Sequence, residues 1–439
     1  MKSAEQARPL AVSRSDGRLR RRRRYLFNGL MLAGIWLTIE AASYMVLPFS
    51  LGSMSELAQQ RRAATEQDPF NPGGQFTAPG VIHPYVGAVM QPRNDQELTF
   101  NDKFRVTEFG FVDDASPIHK RSANQVIIGL LGGSVARQLS LNATDVLADE
   151  LLKSPEYVGK KLKFVRLASN GYKQPQQLMV VNYLIALGAE FDLLINLDGF
   201  NEAALPIVDN VPFGVNTAFP RDWGKLVAGT ASPEFVKMGG LVAYLRQQQR
   251  DDARRFSRPP WSLSPTATLV WGLRYQRSNR AIFDQQAAMS QFTEKERTYC
   301  GSGPPESFES NAEIYDRCIG LWSRSSVALH QLCEARGIRY HHFLQPNQYL
   351  PGSKPIGPEE SEIAVLETSP NCTAVRACFP KMQAEGIKLR EKGVRFTDLT
   401  RVFADHPEPI YADTCCHVVE AGDILMARAI AARIRQATP

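Results

Sequence analysis

Ser134 closes the stretch Leu130-Leu131-Gly132-Gly133-Ser134. An apolar run that stops at two glycines and a serine presents a hydroxyl at a tight turn, because glycine tolerates backbone angles and close approaches that other residues resist. A hydroxyl so placed is a candidate nucleophile if a base can take its proton and donors can hold a developing oxyanion. The same turn could equally cradle a phosphate at the start of a helix. Gly171, in Ser169-Asn170-Gly171, offers an unobstructed backbone N–H. Asn201, in Gly199-Phe200-Asn201-Glu202, offers two side-chain N–H donors. His417 is the candidate base, and Asp413, four residues earlier, is the carboxylate that could fix its tautomer. Asp405 and Asp423 are the other acids near it. Asp405 is separated by Pro407 and Pro409, and Asp423 falls over one and a half turns into the final helix. Each residue alone is more often an ordinary turn or cap; their joint order carries the reading.

These residues need a scaffold that brings them together. From residue 126, short apolar runs alternate with helix-like segments. The runs are Val126–Leu131, Leu162–Ala168, Phe191–Leu197, Ile338–Leu344 and Val394–Leu399. The helix-like segments include Pro175–Leu187, Ala312–Arg336, Phe379–Glu391 and Val418–Arg435. Such alternation predicts about five parallel strands between two helical layers, a three-layer α/β/α, flavodoxin-like domain. Gly-Gly-Ser, Ser-Asn-Gly and Gly-Phe-Asn follow the first three runs. Ligand sites of open α/β sheets lie beyond the carboxyl ends of the strands, so these signals can converge.

The four blocks together resemble the SGNH, or GDSL-like, hydrolases. Gly132-Gly133-Ser134 is similar to that family's nucleophile turn, Ser169-Asn170-Gly171 to its oxyanion glycine, Gly199-Phe200-Asn201-Glu202 to its Gly-x-Asn-Asp block, and Asp413 to His417 to its late Asp-x-x-His. His83-Pro84-Tyr85-Val86-Gly87 and Glu108-Phe109-Gly110-Phe111 resemble the lead-in of membrane-anchored bacterial members. The resemblance covers about residues 81–436, apart from an insertion. Gly133 stands where the family has Asp, Glu202 replaces the second Asp of its block, and Asp413 precedes His417 by four residues instead of three. The resemblance implies a serine esterase without metal or cofactor. Ser134 would be the nucleophile, His417 the base and Asp413 its acid, with Ser134, Gly171 and Asn201 as oxyanion donors. Transfer of acyl groups to a glycan, or a non-catalytic scaffold that binds a glycan or protein partner, are the alternatives.

Charge and hydropathy place the rest. The net charge is +6, but residues 1–24 carry nine Lys/Arg against Glu5 and Asp16, so that segment is +7 and the remainder −1. Nothing beyond this tail suggests nucleic acid. Tyr25–Leu47 is apolar except for Glu40 and spans about 34 Å as a helix, enough to cross a bilayer. Arginines before it keep the N-terminus cytoplasmic and predict a periplasmic C-terminal body. A cleaved signal peptide with Ala41-Ala42-Ser43, or a twin-arginine signal at Arg22-Arg23-Arg24, are the competing readings. Glu40 calls for a polar partner helix. The expected organisation is a basic tail (1–24), a signal-anchor (25–47), a linker (48–80) and a hydrolase-like domain (81–439). Residues 205–300 interrupt the alternation and are expected to be a helical insertion. It would serve as a lid, as a membrane- or partner-facing surface, or only structurally. All seven cysteines lie between Cys300 and Cys416, so at least one stays unpaired within the chain. Cys372 and Cys378 bracket a short segment and are expected to form a disulfide; the competing reading is buried small hydrophobes.

Overall fold

The computed structural model describes residues 14–66, 80–92, 103–227, 233–290 and 299–436. The chain divides into two compact units. One comprises residues 1–72 and 240–290, the other residues 73–239 and 291–439.

The second unit is the α/β body. Its five parallel strands are β1 (Gln125–Gly132), β2 (Lys161–Arg166), β3 (Leu193–Asp198), β4 (Arg339–Leu344) and β5 (Arg395–Asp398), each within two or three residues of its apolar run. They pair in the order β2-β1-β3-β4-β5. The order turns back at β1, so β1 and β3 flank the switch point where open α/β sheets place ligands. Ile127, Ile128, Leu193, Leu194 and Phe343 are buried completely, as a sheet covered on both faces requires. Helices α3 (Ser134–Asn142) and α4 (Thr144–Leu151) pack with the final helix, α11 (Glu420–Gln436). Helices α5 (Gln176–Ala186), α6 (Phe200–Leu205), α9 (Asn311–Ala335) and α10 (Pro370–Glu391) pack among themselves. Two short antiparallel ribbons, Gly80–His83 with Gly87–Met90 and Arg105–Val106 with Val112–Asp113, precede the sheet.

Two expectations need correction. Cys372 and Cys378 are free thiols, both buried on α10. That helix starts at Pro370 behind a Ser369 cap, nine residues before the expected start. Six residues of helix separate the two Cα atoms by about 9 Å, beyond disulfide reach. Residues 48–80 are also more than a linker, because they contain helix α2 (Met54–Glu66). Ser53 and Glu56 form a capping box: Ser53 Oγ accepts the Glu56 N–H at 3.3 Å, and the Glu56 carboxylate accepts the Ser53 N–H at 2.8 Å. The Gln-rich composition hid this start signal. The Pro/Gly-rich part of that segment, residues 67–79, lies outside the described residues.

The first unit contains α1 (Arg14–Ser50), α2, most of α7 (Pro233–Phe256) and α8 (Pro265–Ser290). Among the described residues one helix, over 21–50, is long and apolar enough to cross a membrane. Its C-terminal half packs on α8: Leu47, Leu57 and Trp271 form a buried cluster, and Arg61 stacks over the Trp271 ring while donating to Thr268 Oγ1 at 3.0 Å. Gln249 to Asn279 (2.7 Å) and Arg274 to Asp252 (3.1 Å) join α7 and α8 as an antiparallel hairpin.

Candidate active site

Four loops meet at the carboxyl edge of the sheet. β1 ends in Gly132, held at φ +137°, where an added Cβ would sit 2.0 Å from the Leu197 carbonyl of β3. Glycine is therefore required there. The chain turns sharply, and Ser134 opens α3. The side-chain amide of Asn201, at the start of α6, lies directly over Gly133: a Cβ at that position would come 2.2 Å from Asn201 Nδ2. The lack of a side chain at Gly133 is thus what lets the Asn201 amide sit this close to the Ser134 turn. One Asn201 N–H donates to the Tyr172 carbonyl at 2.7 Å, which leaves the second for a ligand. Gly171, at φ +73°, turns the segment after β2 toward the same edge. Among the described residues, neither the Ser134 nor the Gly171 backbone N–H meets a backbone acceptor outside the helices and strands.

His417 arrives on a looped ribbon. Ala412 donates to the His417 carbonyl at 2.9 Å, and Val419 to the Ile410 carbonyl at 2.8 Å. Within it, Asp413 Oδ1 accepts the N–H groups of Cys415 (2.9 Å), Cys416 (3.0 Å) and His417 (3.2 Å). Asp413 Oδ2 lies 2.5 Å from His417 Nδ1, and His417 Nε2 lies 2.8 Å from Ser134 Oγ. The four-residue spacing closes without strain because the carboxylate folds back over the turn it starts. Burial works to raise the Asp413 carboxyl, but the His417 contact and the N–H donors outweigh it and hold the group below the usual carboxylate range. The His417 side chain is 14% exposed, so part of it reaches the surface.

The structure brings Ser134, Gly171, Asn201, Asp413 and His417 to one edge. It places Asp405 on an exposed turn. Asp423 is buried, accepting from Asn142 at 2.8 Å and Gln138 at 3.2 Å, and burial pushes its carboxyl up to about 7. Glu202 is buried under α6 and accepts the N–H groups of Gly199 and Gln174, both at 2.9 Å. Burial, reinforced by the charge of Asp198, pushes it up to about 8.

Three supporting features leave no local sequence signal. The loop after β4 braces the ribbon: Asn347 donates to the Cys415 carbonyl (3.1 Å), Gln348 to that of Asp413 (3.0 Å) and the Tyr349 hydroxyl to that of Thr414 (2.7 Å). Buried Glu360 accepts the N–H groups of Ile410 and Tyr411 and pairs with Lys354 at 2.6 Å. Arg221 packs over Gly171 and pairs with Asp209 at 2.8 Å. Its segment is tied down by buried Lys173, which donates to the carbonyls of Thr217 and Phe219.

A second Ser-His-Asp series, Ser326–His342–Asp198, has contacts of 2.7 and 2.8 Å. It is wholly buried beside Trp322, where no substrate reaches, and it fixes the end of β3. Among the described residues one cluster has metal-type ligands close together, Cys415, Cys416 and His417. Both His417 nitrogens already face Asp413 and Ser134, so the cluster does not read as a metal centre.

No protein-family model matches the chain, and no curated protein matches it. Among solved structures, a catalytic mutant of Axe2, an acetylxylan esterase from Geobacillus stearothermophilus, is 10% identical, covering 72% of this chain and 95% of its own at a TM-score of 0.31. A second catalytic mutant of that esterase is 9% identical, with coverages of 72% and 95% and a TM-score of 0.33.

Proposed function

We propose that this chain is a membrane-anchored serine esterase of the SGNH kind, its hydrolase-like domain lying within residues 81–439 and interrupted by residues 240–290, that hydrolyses O-acetyl esters of a glycan or lipid outside the cytoplasmic membrane. The observation that carries the reading is the series Asp413–His417–Ser134, with contacts of 2.5 and 2.8 Å, beside the Asn201 amide. In this mechanism His417 Nε2 takes the Ser134 proton as Oγ attacks the ester carbonyl. The N–H groups of Ser134 and Gly171 and the free Asn201 N–H hold the oxyanion. His417 then protonates the leaving alcohol, and water, activated by the same imidazole, releases the acid. Asp413 keeps Nδ1 as the donor and offsets the charge of the imidazolium. The anchor reading is supported by the apolar helix over 21–50 that follows the basic tail.

The test is labelling of the full chain in detergent with a fluorophosphonate. Wild type should be labelled and Ser134→Ala should not. Labelling that survives Ser134→Ala moves the nucleophile elsewhere, and an unlabelled wild type favours a non-catalytic scaffold. Adding sugar alcohols to an acetyl-ester assay separates hydrolysis from O-acyl transfer, which would pass the same acyl group to the sugar.

A further inference from the structure

Glu40 lies seven residues before Leu47, about 10 Å along the helix from the outer end of the apolar stretch. Its carboxylate accepts from Ser264 Oγ at 2.7 Å and from the Thr266 N–H at 3.0 Å, so it caps the start of α8. Ser43 and Thr266 hydroxyls are 3.0 Å apart, Leu47 packs with Trp271, and Leu51 lies against Gly272. Helix α8 therefore runs parallel to α1, and its first residues are its deepest. The turn joining α7 to α8, residues 257–264, sits at the depth of Glu40. It exposes Leu263 (76%) and Trp261 (48%). Arg254, Arg255 and Arg258 line a pocket of about 440 Å³ together with Asp251, Pro259 and Trp261, so cations outnumber the one carboxylate there.

We propose that this hairpin tip is a membrane-interface segment, with Trp261 and Leu263 in the outer leaflet and the three arginines on lipid phosphates. The inference rests on the anchor reading of α1. Given that reading, a tip clasped to Glu40 has no aqueous place to be. Its composition suits the site: Trp favours the headgroup level, and Arg stems reach along apolar surface to anions. The occupant is a bilayer containing anionic phospholipid.

The test uses the full chain in nanodiscs of phosphatidylcholine and phosphatidylglycerol, with or without bromine on the acyl chains. The Trp261 emission is the difference between wild type and Trp261→Phe; the Trp36 emission, obtained likewise, reports the anchor. Bromine should quench the Trp261 component at least about twofold, as for a belt tryptophan, while aqueous acrylamide does not. Reversing the charge of the three arginines should shift that component toward acrylamide. Quenching by acrylamide alone overturns the proposal, and protection from both quenchers assigns the tip to a protein partner or a second copy. Trp36 quenched with Trp261 unquenched leaves the anchor standing and removes this inference. If neither is quenched, the anchor reading falls.

A separate observation concerns Cys415 and Cys416, whose sulfurs are 3.1 Å apart while both backbone N–H groups bind Asp413 Oδ1. We infer that the pair is a reversible oxidation site that gates the proposed esterase. The Cys415 thiolate attacks an exchangeable disulfide and releases one thiol; the Cys416 thiolate then displaces the second, leaving a Cys415–Cys416 ring. Adjacent Cα atoms are about 3.8 Å apart, less than disulfides prefer, so the ring is strained and readily reduced. Closing it re-orients the Cys415–Cys416 peptide, whose one N–H, that of Cys416, is among those that steady Asp413. Incubation of the full chain with oxidised glutathione should remove about 2 Da from the peptide holding both cysteines. Fluorophosphonate labelling should slow at least tenfold and recover with dithiothreitol, while the labelling rate of Cys415→Ser, whatever its basal value, should be the same with and without oxidised glutathione. A stable glutathione adduct, an unchanged mass, or a ring with undiminished labelling would each overturn the gate. A ring in a protein that is unlabelled even when reduced would sink the esterase reading and leave the oxidation site.

Discussion

Asp413 meets His417 twice, through the backbone N–H at 3.2 Å and the ring Nδ1 at 2.5 Å, each by a different carboxylate oxygen. One side chain thus shapes the turn and orients the imidazole. Asp413→Asn keeps an acceptor for the turn but replaces Oδ2 or Oδ1 with a donor. Folding should survive, and turnover should fall by about 10–10⁴-fold through loss of the tautomer. The loss should be smaller than for His417→Ala. Steady-state hydrolysis of an acetyl ester measures it, and a fully active Asp413→Asn would reduce the site to a Ser-His pair.

Gly133 and Asn201 act as one unit, since any Cβ at 133 collides with the Asn201 amide. Gly133→Ala and Asn201→Ala should each lower kcat about 10²–10³-fold, the cost of one oxyanion donor. Because both remove the same interaction, the double variant should be little worse than either single one. Additive losses would mean that Gly133 acts by some other route.

Asn347 touches only the Cys415 carbonyl in the ribbon, yet it helps set where His417 hangs. Asn347→Ala should lower kcat about tenfold while KM stays within about twofold, the signature of misplacement of the reacting groups. Equal loss in an Asn347→Asp variant is expected, because the carboxylate cannot donate. An unchanged kcat in both would show that Gln348 and Tyr349 hold the ribbon alone.

Asp423 supplies a pH dependence with a definite sign. Its ordinary value is 3.8 and burial pushes it up to about 7 in the folded chain, so folding favours the protonated form. Its stabilisation is complete below about pH 4 and is lost as pH rises through about 7. Glu202, pushed up to about 8, acts in the same direction over a slightly higher range. Thermal midpoints of wild type should therefore fall between pH 5 and 8.5 on account of these groups, and Asp423→Asn should flatten part of the slope. A variant whose slope matches wild type would show that Asp423 is charged in the fold.

The strands and the four loop ends were legible because they are local: an apolar run and the polar residues that stop it are neighbours in sequence. Ser134, Gly171 and Asn201 could be placed at one edge from strand ends alone; His417, read at the start of the final helix, joined them only through the resemblance of its block. The brace from Asn347, Gln348 and Tyr349 could not, since it reaches carbonyl groups 65 to 68 residues away, and every residue has a carbonyl. Arg221 was hidden for the same reason, inside a segment without alternation. Glu40 was visible as a charge in need of a partner. That the partner is the start of α8 emerges only from packing, because Ser264 and Thr266 are 224 and 226 residues away. The Cys372–Cys378 expectation failed through spacing counted along the chain when the relevant distance runs along a helix.

The 283 residues between Ser134 and His417 also set an order of events. A growing polypeptide displays its hydroxyl turn long before it owns a base. At about 5–20 residues per second, roughly 15–60 s of synthesis separate the two. During that interval the serine has no imidazole beside it, and Asn347 still lacks the Cys415 carbonyl that it holds in the folded chain. The Asp413–His417–Ser134 series can close only once the ribbon carrying Asp413 and His417 has been made, so two distant pieces of the chain must meet before the site exists.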